Sequence, residues 1–152
     1  MGASIVDAHR DGAEICRGDE VCRARSVGLL REFRLPEGLL PLEDIEEFGH
    51  HRESGFVWLR QRRPRNHSFR QIGRLVSYAT EVTCFVEPGR IRRLTGVKSR
   101  ELLLWISISE FFVDPGDPSR ITFRTPAGIS RSFPSSAFDL EPHQPPPASG
   151  GI

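Results

Sequence analysis

The chain is nearly without lysine: of its 21 cationic residues only Lys98 is not an arginine. That bias reads first as genome composition, although the planar arginine fork does suit anions wherever it clusters. Cysteine is scarce too. Cys16, Cys22 and Cys84 are odd in number, irregularly spaced and form no C-x-x-C pair, which excludes a disulfide framework. No apolar run reaches the roughly 18 residues that a membrane-spanning helix needs. The opening MGASIVDAHRDG lacks the basic start and apolar centre of a secretory signal, and Val6 stands where a myristoylation pattern wants Ser or Thr. A cytoplasmic, reducing location, with contact to a membrane confined to its surface, is therefore expected. The formal net charge of +1 gives bulk electrostatics no reason to favour nucleic acid or an anionic membrane.

Motifs for chemistry are missing as well. Gly128-Ile129-Ser130-Arg131-Ser132 comes nearest to the G-x-S-x-G of an esterase but lacks its final glycine, and no phosphate loop occurs. His50 and His51 are adjacent, so on a strand they point to opposite faces and cannot easily grip one ion. His67 has no second histidine at a metal-ligand spacing in the sequence, and His9 and His143 lie in polar ends. No metal, no cofactor and no catalytic residue is expected, and the activity reads as non-enzymatic. Glu43, Asp44, Glu46 and Glu47 read as a solvated strand edge, where charge discourages edge-to-edge pairing.

What the chain does have is 152 residues with 38% apolar content, enough for one domain and one core. The most apolar stretch, Leu102 to Val113, reads as a central strand with both faces covered, Trp105 included. A helix is expected from Asp19, as its cap, to about Phe33, stopped by Leu35-Pro36. Pro36 to Leu42 is a turn-rich connector carrying Leu39, Leu40 and Leu42. Ile45 to Gln61 alternates as a hairpin with Gly55 near its turn. A loop dense in arginine follows, with Arg60, Arg62, Arg63 and Arg65. Leu75 to Glu87 is a long half-buried strand, Glu87-Pro88-Gly89-Arg90 a type II turn, and Ile91 to Val97 a short returning strand. Asp114 to Pro118 is a stop; Ile121 to Arg124 and Ile129 to Phe138 close the body. The expected layout is a polar segment over 1–17, one domain over 18–138 and a disordered Pro/Gly-rich tail over 139–152. The expected fold is mainly β: an antiparallel β-roll or partly open barrel with an N-terminal α-helix.

GLLPLEDIEEFG (38–49), GFVWL (55–59), GRLVSYATEV (73–82), LTGVKSRELLLW (94–105) and FRTPAGISRSFPSSAF (123–138) together resemble a plant family of unknown function, the domain numbered five-three-eight. Its members include proteins named for smaller trichomes with variable branches. GDEVCRARS (18–26) is similar to the family's helix. The resemblance implies a mainly β roll or partly open barrel. It also brings two functional expectations: similarity to lipid-binding bactericidal permeability-increasing proteins, and chlorophyll binding or hydrolysis. Neither carries a motif whose residues transfer. The family often has Tyr followed by Asn or Asp at His50-His51, and Tyr at Cys16.

Two clusters remain as candidate binding residues. Core packing is the plain account of Leu39, Leu40 and Leu42, and the rim of an apolar ligand site the sharper one. Arg62, Arg63 and Arg65 are either solvated or bind the anionic head of a lipid or an anionic membrane surface. No nucleic acid is expected, because no stacking aromatics interleave with the arginines. The first expectation is thus a module binding a lipid or other apolar small molecule in the mouth of the roll. One alternative is a protein–protein adaptor recruiting through Pro145-Pro146-Pro147. The other is a chlorophyll-ester hydrolase by family analogy, which would need a Ser–His pair within hydrogen-bond reach.

Overall fold

A computed structural model describes residues 4–140. The long strand of the sequence reading, β5 (Arg74–Glu87), is the axis of the fold. Fourteen residues are more than one antiparallel partner covers, so β5 takes two on the same side. β3 (Phe56–Gln61) pairs along Glu81–Phe85, and β4 (Arg65–Phe69) along Arg74–Tyr78. The arginine-dense segment is therefore part strand: only Arg62 and Arg63 sit on the exposed bend between β3 and β4. On the opposite side β5 pairs with β6 (Arg90–Glu101), across the expected turn at Pro88-Gly89 and past a bulge beyond Tyr78.

Around this axis one open, antiparallel, ten-stranded sheet is built. On one side β1 (Glu14–Arg17) and β2 (Ile45–His51) extend it beyond β3. On the other, β8 (Glu110–Asp114), β9 (Asp117–Arg124) and β10 (Ser130–Pro134) follow β6, and β7 (Leu104–Ser107) pairs with β6 alone. The mainly antiparallel β class with an N-terminal helix is what the sequence predicts. The returning strand is longer than predicted, running to Glu101. A short helix, α1 (Ile5–Ala8), and the edge strand β1 occupy the segment expected to be a polar approach. The tail reading over 141–152, with its Pro145–Pro147, lies outside the described residues.

The helix α2 (Asp19–Glu32) buries Cys22, Ser26, Leu29 and Leu30 against the sheet. Its cap is Gly18, one residue before the expected Asp19. Asp19 instead accepts the Ile45 N–H at 3.0 Å, tying the start of the helix to the start of β2. The main core lies between α2, the connector and one face of the sheet, and runs through Leu39, Phe48, Tyr78, Ile91 and Phe111.

The largest departure concerns Leu102 to Val113. The sequence predicts one central strand there; the structure breaks it into the β6–β7 turn, β7 and β8. Leu102, Leu103 and Leu104 are 93, 84 and 68% exposed, and Trp105 is 40% exposed. The turn closes because Glu101 pairs with Leu104, leaving Leu102-Leu103 as a two-residue hairpin tip with Leu102 at φ +55°. The strand covered on both faces is β3. Val57 and Leu59 face the main core, and Phe56 and Trp58 face a second cluster with Val6. Gly49, beside Trp58 in the ladder, makes this possible: a methyl group there would stand 2.2 Å from the indole ring.

Candidate functional site

The connector 36–43 is fixed at three points. The Gly38 N–H donates to the Phe138 carbonyl at 2.9 Å, with contact so close that a Cβ on Gly38 would meet the Asp139 carbonyl at 2.6 Å. The Tyr78 hydroxyl donates to the Leu39 carbonyl at 3.0 Å, and Gln61 Oε1 accepts the Glu43 N–H at 3.3 Å. Burial pushes the Tyr78 hydroxyl well above its ordinary pKa, so it remains a donor. Gln61 is itself held by the Tyr78 and Ala79 carbonyls, each 3.0 Å from its Nε2. Leu39, Leu40 and Leu42 are consequently 0, 6 and 2% exposed. All three belong to the main core.

Between this connector, α2 and β4 lies a cleft of about 490 Å³. Leu40, Leu42, Ile45 and Phe69 line its apolar part, and Arg23, Arg65 and Arg70 bring positive charge to it. Arg65 pairs with Glu43, and Arg23 with Asp19. Two of the lining residues carry buried polar atoms with no hydrogen-bond partner among the described residues, Ser26 Oγ and Arg65 Nε. An orphaned buried polar group costs about 1–3 kcal/mol, so each is a place where a ligand atom would be stabilising. Of the six residues singled out from sequence, the structure brings Leu40, Leu42 and Arg65 to this cleft. Leu39 packs in the core, and Arg62 and Arg63 point to solvent on the bend. Ser26, Ile45, Phe69, Arg23 and Arg70 were missed, because only the tertiary fold sets α2 and β4 on opposite sides of the connector.

A second cavity, of about 330 Å³, lies between α2 and β2 and is edged by ion pairs. Arg52 reaches Glu32 at 2.7 Å and also pairs with Glu14, which Arg25 meets at 2.8 Å. His50 is buried there with Nε2 unpartnered among the described residues, and burial, with the nearby Arg52 charge, holds its pKa below the ordinary value. The cavity's polar groups are already matched to one another, apart from that nitrogen.

The chemistry needed for ester hydrolysis is met only in fragment. His51 Nδ1 lies 2.7 Å from Ser54 Oγ. Both belong to the β2–β3 turn, where Ser54 Oγ also accepts the Phe56 N–H at 3.1 Å and the Ser54 N–H points to His51 Nδ1 at 3.3 Å. That is a turn-closing network; no carboxylate orients the ring among the described hydrogen bonds. Ser26, in the main cleft, has no base bonded to it. Cys22 donates its thiol to the Cys16 carbonyl at 3.3 Å, and burial pushes it up to about 12, away from the reactive thiolate. Cys84, also buried, is likewise pushed up to about 12. No group of three His, Cys, Asp or Glu residues among the described ones is placed to hold a metal ion, and no described helix is long and apolar enough to cross a membrane.

A family model described as "Protein of unknown function, DUF538" matches residues 26–139. That range holds the second half of α2, the connector and β2 to β10, and so every lining residue named for the cleft except Arg23. No curated protein and no solved structure gives a significant match.

Proposed function

Because the chain belongs to the DUF538 family, which is described by no activity, we propose from the cleft that it is a non-enzymatic module binding a small amphipathic acid of lipid type. The observation that carries this reading is the pairing of an apolar floor with the unpartnered Arg65 Nε and Ser26 Oγ. A volume of about 490 Å³ is in the range of small-molecule sites, which are mostly apolar with a few placed polar groups. The apolar chain packs on Leu42, Ile45 and Phe69. The acidic head takes Arg65, whose present partner Glu43 is 59% exposed and free to turn to water. A charge-assisted contact to a guanidinium is about twice as strong as a neutral one, so the head group sets the preference.

The test uses palmitate and its neutral counterpart, hexadecanol, by thermal shift and by displacement of a fluorescent fatty acid. Palmitate is expected to raise the melting temperature and Arg65→Gln to weaken it about tenfold, with hexadecanol binding unchanged by that substitution. No shift with either compound, or equal weakening of both, overturns the reading. Turnover of a long-chain ester that vanishes in Ser54→Ala would replace it with a hydrolase.

A further inference from the structure

The β6–β7 hairpin has no role in the cleft, and its tip contradicts the usual logic of both turns and surfaces. A two-residue hairpin turn wants Gly, Asn or Asp where φ is positive, because a Cβ is strained there. This chain places Leu102 at that position, φ +55°, and exposes its side chain almost completely. Leu103 and Leu104 extend the apolar surface, and Trp105 stands behind them, cross-strand from Arg100, whose guanidinium lies 5.9 Å from the indole centre. A strained backbone that holds apolar side chains in water serves no folding purpose; it presents them.

The surroundings name the occupant. Lys98, Arg100 and Arg131 are exposed around the hairpin. Its single carboxylate, Glu101, is already engaged by Arg74 at 2.6 Å and Arg131 at 3.6 Å. Three leucines at the tip, a tryptophan one step behind and a collar of cations, in which Lys98 and Arg100 outnumber the one carboxylate that Arg74 and Arg131 already share, reproduce the layers of an anionic bilayer: hydrocarbon, interface, phosphate. We propose that the Leu102–Trp105 hairpin tip inserts into the interface of anionic membranes, with Arg100, Lys98 and Arg131 on the headgroups. Trp105 sits at headgroup depth, where an amphipathic ring is most stable.

This differs from the arginine cluster singled out in the sequence. The β4–β5 ladder puts Phe69 beside Arg74 and Arg65 beside Tyr78, while β5 sets Val76 against Ser99 of β6. The Arg62–Arg63 bend therefore leaves the far end of β4 and faces away from the tip. The inference stands independently of the cleft ligand.

The chain has two tryptophans, and Trp58 is 0% exposed, so a change in emission on adding vesicles reports Trp105. The experiment is co-sedimentation and fluorescence with phosphatidylcholine vesicles, with or without phosphatidylserine. Expected are binding to the anionic vesicles only, a blue-shifted Trp105 and quenching by brominated acyl chains. Leu102→Ser with Leu103→Ser should reduce partitioning about a hundredfold, since withdrawing one leucine from water shifts an equilibrium by roughly tenfold or more. Circular dichroism and the melting temperature of that variant should match wild type. Arg62→Gln with Arg63→Gln should bind as wild type does. Absence of binding to anionic vesicles, or binding unchanged by the leucine substitutions, overturns the proposal. So does loss of binding in the Arg62/Arg63 variant alone. Failure of the palmitate assay leaves this result untouched, and the reverse also holds.

Discussion

Phe56-Val57-Trp58-Leu59 and Leu102-Leu103-Leu104-Trp105 are four-residue apolar runs of similar composition, and they meet opposite fates. The first is at most 1% exposed at every residue; the second is at least 40% exposed at every residue. The difference lies in what each run can pair with. β3 has β2 on one side and β5 on the other, α2 and the connector beneath it, and Val6 with the α1–β1 segment above. The second run straddles a turn, so only half of it is strand, and that half has a single neighbour. Hydrophobicity is a property of the run; burial is a property of its neighbours.

The comparison breaks most visibly at Phe56. Phe56→Ala should lower stability by about 3–5 kcal/mol in urea melts, the usual loss when a fully buried aromatic ring is removed. A loss below about 1 kcal/mol would mean that the second face of β3 is open. Glu47 sharpens the same side. Its carboxylate accepts Trp58 Nε1–H at 2.8 Å and meets Arg10 at 2.8 Å and Arg17 at 3.0 Å. Burial alone would raise its pKa, but the hydrogen bonds from Arg10 and Trp58 and the two arginine charges outweigh that and hold it below the ordinary value. A depressed carboxylate stabilises the fold fully above its unfolded pKa and loses that contribution as pH falls through the folded one. Glu47→Gln should therefore cost about 1–2 kcal/mol at neutral pH and flatten the acid limb of the stability–pH curve. An unchanged acid limb would place the titration elsewhere.

On the other side of the comparison the effects shrink. Trp105→Ala should change stability by less than about 1 kcal/mol, because its ring is partly in water and meets one guanidinium. Leu102→Gly should cost nothing and gain up to about 1 kcal/mol, as relief of the positive-φ strain outweighs the added freedom of the unfolded chain. Calorimetry of both variants beside Phe56→Ala places the two runs on one scale. A loss of several kcal/mol in either would show the tip to be packed.

The β class, α2, the β2–β3 hairpin, β5 and the turn at Pro88-Gly89 were legible because each is written locally, in alternation, in a glycine or in a proline. Val76, Tyr78, Val82, Cys84 and Val86 fall on the face that alternation predicts, whereas Thr80 of the same alternation is exposed where the ladder bulges beyond Tyr78. Leu102 to Val113 was misread because its turn carries none of the usual letters; a leucine in a left-handed position cannot be seen as a turn in sequence. The Arg65–Phe69 strand was hidden by its charges, since its pairing comes from the unused length of β5. The cleft was half legible. Leu40, Leu42 and Arg65 drew notice by composition, whereas Ser26 and Phe69 acquire their place from the packing of α2 and β4 against a connector between them in sequence.

The segment from α1 to β1 lies at one edge of the sheet. Val6 and Ala13 close over Phe56 and Trp58, the His9 ring stacks on Phe56 at 4.2 Å, and Arg10 grips Glu47. β1 pairs in the sheet with β2 alone among the described strands, while its Cys16 and Glu14 meet Cys22 and Arg25 of α2. Because β1 is an edge strand, the segment is expected to open at lower cost than the whole domain unfolds. Amide protons of β2 facing β1 should then exchange with solvent sooner than those between β3 and β5 in a hydrogen-exchange experiment. With each opening the Trp58 indole keeps Glu47, which belongs to β2, but loses Val6 and the Arg10 guanidinium 5.4 Å from its ring, so one buried ring would serve as the gauge of that edge.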